Sequence, residues 1–106
     1  MRIEFPGGWA VLSDRLTHAR RMRIIRVLRL SASDDPGDLW AFLAEVTAAH
    51  VASWSLGEVD PVHGPSVDLL DGLEAAAVDV LSEAAIARWK GRADPNATGT
   101  PSESGS

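Results

Sequence analysis

The sequence predicts a mainly α-helical protein, with an N-terminal β-hairpin followed by three helices in a small single-domain bundle and a disordered C-terminal tail. Three observations support this prediction. Alternating apolar residues flank an early Pro-Gly-Gly turn, apolar residues then recur at three- and four-residue steps, and no large apolar residue follows Gly91. We therefore expect one domain over residues 1–90 and a disordered polar tail over residues 91–106, which lack the apolar surface needed to offset ordering.

The opening segment has the pattern of a hairpin. Residues 2–5 alternate polar and apolar side chains, residues 6–8 read Pro-Gly-Gly, and residues 9–12 read Trp-Ala-Val-Leu. Two strands alone are only marginally stable in water. We therefore expect this hairpin to pack against the helices.

The first predicted helix runs from about Arg15 to Leu30, with Ser13 or Asp14 as its N-cap. Its apolar residues are spread around much of the helical wheel, with arginines between them. Such a segment is either enclosed on several sides or only partly helical.

The second and third helices have clearer start signals. Asp35 and Pro36 form a cap and first-turn pair, and the apolar spacing predicts a helix from about Asp38 to Trp54. Ser66 can cap the next segment, which Gly72 divides into a short turn and a main helix over about residues 73–90.

The charges fall into two opposed blocks. The formal net charge is −5, yet residues 15–29 hold six arginines and no acidic residue, while residues 30–87 hold eleven acidic residues and neither lysine nor arginine. Two blocks of opposite charge can form ion pairs with each other within the fold, or they can bind a charged partner. Both interpretations stay open at this point: an arginine helix lying across acidic surfaces, or an exposed binding face.

Catalytic and metal-binding patterns are absent from the sequence. There is no cysteine, which excludes disulfides, cysteine zinc sites and thiol nucleophiles. The three histidines fall on different predicted elements, and neither a GxSxG elbow nor a phosphate-binding loop occurs. Paired carboxylates at helix starts are expected to be caps, and His50 to be a hydrogen-bonded core residue. We predict a protein that is not an enzyme and has no metal or cofactor.

The membrane and export signals are also missing. The apolar runs are far shorter than the roughly 20 residues of a membrane helix. The first residues lack the apolar segment of a signal peptide. We therefore expect a cytoplasmic location and no membrane partner.

The order of motifs carries a family resemblance. Residues 5–12 read Phe-Pro-Gly-Gly-Trp-Ala-Val-Leu and lead into the arginine-rich helix. The second predicted helix is followed by the motif Ser53-Trp54-Ser55-Leu56, a Pro/Gly loop and a segment with leucines at positions 70 and 73. Over about residues 3–90, this order resembles the small tail assembly chaperones of long-tailed, siphovirus-like bacteriophages, particularly those of actinobacterial hosts. Those proteins often carry a proline just after the second leucine, where this chain has Glu74.

The resemblance implies a non-catalytic function. Such chaperones coat the long, helical tape measure protein in the host cytoplasm, keep it soluble, help to recruit tail tube subunits and are absent from the mature virion. A longer form made by programmed frameshift is common among them, and the polar tail would suit a hinge before such an extension. The expected partners are therefore the tape measure protein, the tail tube protein, a possible frameshift-extended form of the chain and a possible homo-oligomer.

A chaperone of this kind needs apolar patches rimmed by charge. The candidate partner-binding residues are Arg20, Arg21, Ile24, Ile25, Leu28, Trp54, Val78, Ile86 and Trp89.

Two alternatives remain beside the chaperone. One is a small nucleic-acid-binding regulator that uses the Arg15–Arg29 helix; the negative net charge and the absence of tyrosine argue against it. The other is a minor virion component of the head–tail connection.

Overall fold

The computed structural model of the chain describes residues 1–93, so residues 94–106 of the tail predicted over residues 91–106 lie outside the described residues. Four helices and one 3-10 turn accompany a three-stranded antiparallel sheet. The elements are β1 (Arg2–Phe5), β2 (Gly8–Leu12), α1 (His18–Arg26), the 3-10 turn (Leu28–Ala32), α2 (Pro36–His50), β3 (Val51–Trp54), α3 (Val67–Asp71) and α4 (Ala75–Ala93). The mainly helical prediction is confirmed at this level.

The predicted hairpin is present as β1 and β2. Phe5 pairs with Gly8 across the turn, where Gly7 adopts a φ of 95° that favours glycine. The guanidinium of Arg2 lies 4.6 Å from the centre of the Trp9 ring, a cation–π contact between the strands.

The prediction that the second helix continues to Trp54 is wrong, because α2 ends at His50 and residues 51–54 form β3. Val51 and Trp54 are both buried, although an odd spacing normally places two side chains on opposite faces of a strand. The register shifts between Val11 and Leu12, and this β-bulge turns both side chains inward. In this bulged strand the two buried side chains are therefore three residues apart, which is also a spacing of buried side chains on one face of a helix.

The first predicted helix is shorter than expected. The prediction of Ser13 or Asp14 as its N-cap is wrong, because Thr17 caps α1 by accepting a hydrogen bond of 3.1 Å from the Arg20 backbone N–H. The backbone N–H of Ser13 instead donates to the His50 carbonyl at 2.7 Å, which ties this segment to the end of α2. After Arg26 the chain continues as the 3-10 turn, so the partly helical alternative is the one observed.

The other predicted caps are present, although α2 starts at Pro36, α4 starts at Ala75, and the short turn predicted before Gly72 is a fourth helix, α3. Asp35 caps α2 by accepting from the Asp38 backbone N–H at 3.3 Å, and Pro36 occupies the first turn. Ser66 caps α3, which ends at Gly72. Helix α4 continues to Ala93, three residues into the segment predicted as a tail.

The core lies on both sides of α2, which explains why its apolar residues are not confined to one stripe. On one side, Leu12, Val51 and Leu81 join α2 to the sheet and to α4. On the other side, Ile24 and Ala85 join α2 to α1 and α4. Helix α4 therefore contributes its first half to one cluster and its second half to the other, and α2 is enclosed between them.

Candidate docking groove

Arg20 holds the long loop between β3 and α3 against the rest of the fold. Its side chain is buried, and its guanidinium donates to the backbone carbonyls of Val51 at 3.1 Å, Asp60 at 3.0 Å and Pro61 at 3.2 Å, with a longer contact of 3.5 Å to Ala49. Burial lowers the pKa of Arg20, while the Asp60 carboxylate opposes this shift. Arg20, one of the predicted partner-binding residues, therefore joins α1 to the end of α2 and to the loop inside the fold.

Arg23 makes a second set of contacts to the same loop. Its guanidinium pairs with the Glu45 carboxylate at 3.0 Å and donates to the carbonyls of His63 and Pro65. The hydroxyl of Thr17 donates to the Val62 carbonyl at 2.7 Å. The intramolecular interpretation of the arginine block thus applies to Arg20 and Arg23, although their partners are mostly backbone carbonyls rather than acidic side chains.

The loop is also stabilised from within. The Asp60 carboxylate accepts from the backbone N–H groups of Val62 at 2.7 Å and His63 at 3.1 Å, and these hydrogen bonds lower its pKa. Gly64 then turns back with a φ of 81°, and its N–H donates to the Asp60 carbonyl at 2.8 Å. A Cβ at Gly64 would lie 2.5 Å from the Ala48 carbonyl oxygen, so only glycine fits there.

The remaining arginines of the block face solvent. Arg15, Arg21, Arg26 and Arg29 are exposed, and none of them forms an ion pair within residues 1–93. The Arg29 guanidinium folds back onto the last turn of α1, where it donates to the Arg26 carbonyl at 3.2 Å. Unpaired positive charge is therefore concentrated on the outside of α1 and the 3-10 turn.

An open apolar cavity lies between the 3-10 turn, α2 and α4. Its volume is about 270 Å³, which is smaller than most small-molecule sites and suits the side chains of a protein partner. We call it the α2–α4 groove, and its lining residues are Ser31, Leu39, Phe42, Leu43, Ile86 and Lys90.

Two exposed apolar residues precede Ser31, which forms part of one wall of the groove. Leu28 and Ser31 are three residues apart in the 3-10 turn, where side chains at this spacing lie on the same face. The Ser31 hydroxyl donates to the Leu28 carbonyl at 2.7 Å. Ile25 precedes Leu28 by a further three residues, and the two side chains are 43% and 42% exposed. Leu28 therefore adds exposed apolar surface on the face of the 3-10 turn that carries Ser31, and Ile25 is exposed near the end of α1.

The structure brings only some of the predicted partner-binding residues together. Ile86 lines the groove, Leu28 is exposed on the face of the 3-10 turn that carries Ser31, and Ile25 is exposed near the end of α1. The half-buried Trp89 packs in the core cluster that includes Phe42, Leu43 and Ile86. Arg21 is exposed on α1.

Three of the predictions change with the structure. Ile24 is fully buried and Trp54 is 5% exposed, in opposite core clusters, so both support the fold rather than a partner surface. Val78 is half-buried on α4, two turns before Ile86 and therefore roughly 12 Å from it. Leu39, Leu43 and Lys90 line the groove but were not among the predicted partner-binding residues. The two leucines belong to the apolar stripe that predicted the core face of α2.

A second cavity of about 200 Å³ lies at the other end of the molecule. It is lined chiefly by Phe5, Leu56, Leu73 and Ala77, and Glu74 is the charged residue in its lining. The exposed arginines line neither of the two cavities. The charged residue in the lining of the α2–α4 groove is Lys90, so the two cavities differ in the sign of that charge.

The structure bears on three further expectations. Nδ1 of the buried His50 donates to the Val46 carbonyl at 2.8 Å, which confirms a hydrogen-bonded core histidine. Within residues 1–93, no group of three or more histidine, aspartate or glutamate side chains is arranged to hold a metal ion. None of the helices in the same range combines the length and apolar character required to cross a bilayer.

Comparison with family models, with curated proteins and with solved structures found no match to this chain. The geometry of the groove and the motifs of the sequence are therefore the basis for the functional interpretation.

Proposed function

We propose that this protein is a phage tail assembly chaperone: a non-catalytic protein that binds the tape measure protein and helps to recruit tail tube subunits. The observation that carries the proposal is the α2–α4 groove, an open cavity lined mainly by apolar residues, together with the exposed Leu28 in the same 3-10 turn as its lining residue Ser31. Open apolar patches rimmed by charge are typical of protein-binding surfaces.

The groove has the form that accepts a helix. Leu39 and Leu43 are four residues apart on α2, and Ile86 faces them from α4. A groove between two helices can receive the apolar side chains that a third helix presents at three- and four-residue steps. A long helical client such as a tape measure protein offers many such segments, so many copies of a small chaperone can cover it.

The proposal extends to location and assembly. A chaperone of this class acts in the host cytoplasm and is released before the virion is complete. The chain would work beside a frameshift-extended form of itself or as a homo-oligomer along the client.

Co-expression tests the proposal. The full chain keeps the tape measure protein of the same phage soluble and co-purifies with it, together with tail tube subunits, and it is missing from purified particles. An insoluble client, or recovery of nucleic acid in its place, would contradict the proposal. Detection of the chain in purified particles would instead favour the minor head–tail component.

A matched pair of variants assigns the activity to the groove. Leu28→Ser is expected to weaken client binding about tenfold, since it removes one exposed apolar contact, while stability changes by no more than about 0.5 kcal/mol. Leu69→Ser is the control, because Leu69 on α3 is 43% exposed and lies away from the groove. Binding is measured by titration of the purified client, and equal losses in both variants would contradict the assignment.

A further inference from the structure

We propose that the second cavity, whose lining includes Glu74, receives the outer face of helix α1 from a second copy of this chain. This contact joins copies of the chain to one another and uses neither the α2–α4 groove nor the client, so it goes beyond the chaperone function. Its support comes from the lining of the cavity, the charges around it and the exposed side chains of α1.

The second cavity is open and mainly apolar. Phe5 at the end of β1, Leu56 in the loop, and Leu73 and Ala77 on either side of Glu74 in the sequence form most of its lining. Its volume of about 200 Å³ is below that of most small-molecule sites and fits one or two apolar side chains. A protein surface is therefore the expected occupant.

The charges around this cavity are negative. Glu74 in the lining and Asp71 just before it are exposed, and neither carboxylate forms an ion pair within residues 1–93. Residues 55–87, which supply the loop and helix part of the lining, contain neither lysine nor arginine. On the β1 side, Arg2 already faces the Glu4 carboxylate at 3.9 Å. The cavity therefore favours an apolar side chain that is flanked by positive charge.

Helix α1 offers such a side chain on its outer face. With 3.6 residues per turn, Arg21, Ile25 and Arg26 lie within an arc of about 140° around the helix. All three are exposed, Ile25 by 43%, whereas Arg20 and Ile24 on the opposite side of the helix are buried. The outer face of α1 thus presents an exposed apolar side chain between two arginines.

The positive charge of this face is not neutralised within the chain. Neither of its arginines forms an ion pair within residues 1–93, and the guanidinium of Arg21 contacts the His18 ring at 3.4 Å. Glu45 on α2 pairs with Arg23 instead, and residues 15–33 contain no acidic residue. The α1 face and the second cavity therefore carry charges of opposite sign.

These two surfaces can meet only between copies. The lining of the cavity comes from the β1–β2 turn, the loop and residues 72–77, and it includes no residue of α1. Because each copy carries both surfaces, the contact is head-to-tail and repeats from one copy to the next. The lining of the α2–α4 groove shares no residue with either surface, so a row of copies leaves the groove residues for a client.

Sedimentation velocity of the full chain tests the contact without any client. We expect the average mass to rise with protein concentration at low salt. It should return to that of the monomer in about 1 M salt, where the screening length is about 3 Å. A chain that stays monomeric at millimolar concentration in low salt would overturn the proposal.

Charge reversal locates the two surfaces. Arg21→Glu with Arg26→Glu reverses the α1 face, and Asp71→Lys with Glu74→Lys reverses the cavity. Each variant alone should associate at least about tenfold more weakly than the unmodified chain, because its two surfaces then carry like charges. An equimolar mixture of the two variants should associate again, since each reversed surface meets a complementary one on the other variant.

Arg15→Glu with Lys90→Glu is the matched control. It changes the net charge as much as the α1 variant does, at two exposed positions outside both surfaces. The control should associate like the unmodified chain, and urea denaturation verifies that every variant is folded. An equal loss in the control, or a mixture of the two reversed variants that stays monomeric, would overturn the proposal.

The apolar part of the contact has its own variant. Ile25→Ser should weaken association about tenfold, while Val62→Ser, at a 48% exposed position in the loop, should leave it unchanged. Equal effects of the two substitutions would overturn the proposal. So would a chain that stays monomeric and uses Arg21 and Arg26 to bind single-stranded RNA, because the α1 face would then serve nucleic acid.

The contact between copies and the chaperone function fail separately. Self-association with the expected response to charge reversal, but without binding of the tape measure protein, would contradict the chaperone function alone. Binding of the tape measure protein by a chain that stays monomeric would contradict the contact between copies alone.

Discussion

Replacing Arg20 with methionine is expected to lower the free energy of unfolding by about 3 kcal/mol. The substitution removes the donors that satisfy the carbonyls of Val51, Asp60 and Pro61, and methionine cannot replace them. A buried acceptor left without a donor costs about 1 to 3 kcal/mol, and hydrogen bonds from a charged donor are the stronger ones. The carbonyls at the end of α2 are also beyond the reach of intrahelical donors.

Urea denaturation measures this loss directly. Arg21→Met is the matched control, since Arg21 is the next residue along α1 and its guanidinium is exposed, with a contact of 3.4 Å to the His18 ring. We expect the control to change stability by no more than about 0.5 kcal/mol. If the two variants unfolded at the same urea concentration, Arg20 would not be the residue that fixes the loop.

Gly64→Ala is expected to cost about 3 kcal/mol. Part of the cost is the positive φ of 81°, which disfavours any side chain. The larger part is the contact between the new Cβ and the Ala48 carbonyl oxygen at 2.5 Å, because that oxygen belongs to the backbone of α2 and has little freedom to move.

Gly7→Ala separates the two contributions. Gly7 has a comparable φ of 95° but no atom within 4 Å of the position that a Cβ would take. We expect this control to cost about 1 kcal/mol, the conformational cost alone. Thermal or urea unfolding of both variants gives the comparison, and similar losses would show that the approach of the loop to α2 contributes nothing.

The local start and stop signals were sufficient to predict part of this fold. Asp35 with Pro36, and Ser66, act within one turn of the chain, so their side chains cap the helices that follow regardless of tertiary contacts. The hairpin is equally local. By contrast, β3 depends on pairing with β2, and its bulge gives Val51 and Trp54 a spacing that a helix also produces. No local pattern separates these two structures.

The arrangement of the candidate site depends even more on contacts between residues that are distant in the sequence. The acceptors of Arg20 at Asp60 and Pro61 lie about forty residues along the chain, so nothing around Arg20 in the sequence distinguishes it from the exposed Arg21. Leu39 and Leu43 fit the pattern of core residues, yet they line an open groove between the 3-10 turn, α2 and α4. Ile86 was identifiable because it lies off the main apolar stripe of α4.

The central claim is that the client binds at the α2–α4 groove. Methyl NMR of the labelled chain, titrated with a soluble segment of the tape measure protein, tests it most directly. The account predicts shifts concentrated at Leu28, Leu39, Leu43 and Ile86, with Val62 and Leu69 unchanged. Shifts centred on Leu56 and Leu73, around the second cavity, would contradict it, and so would a spectrum that the client leaves unaltered.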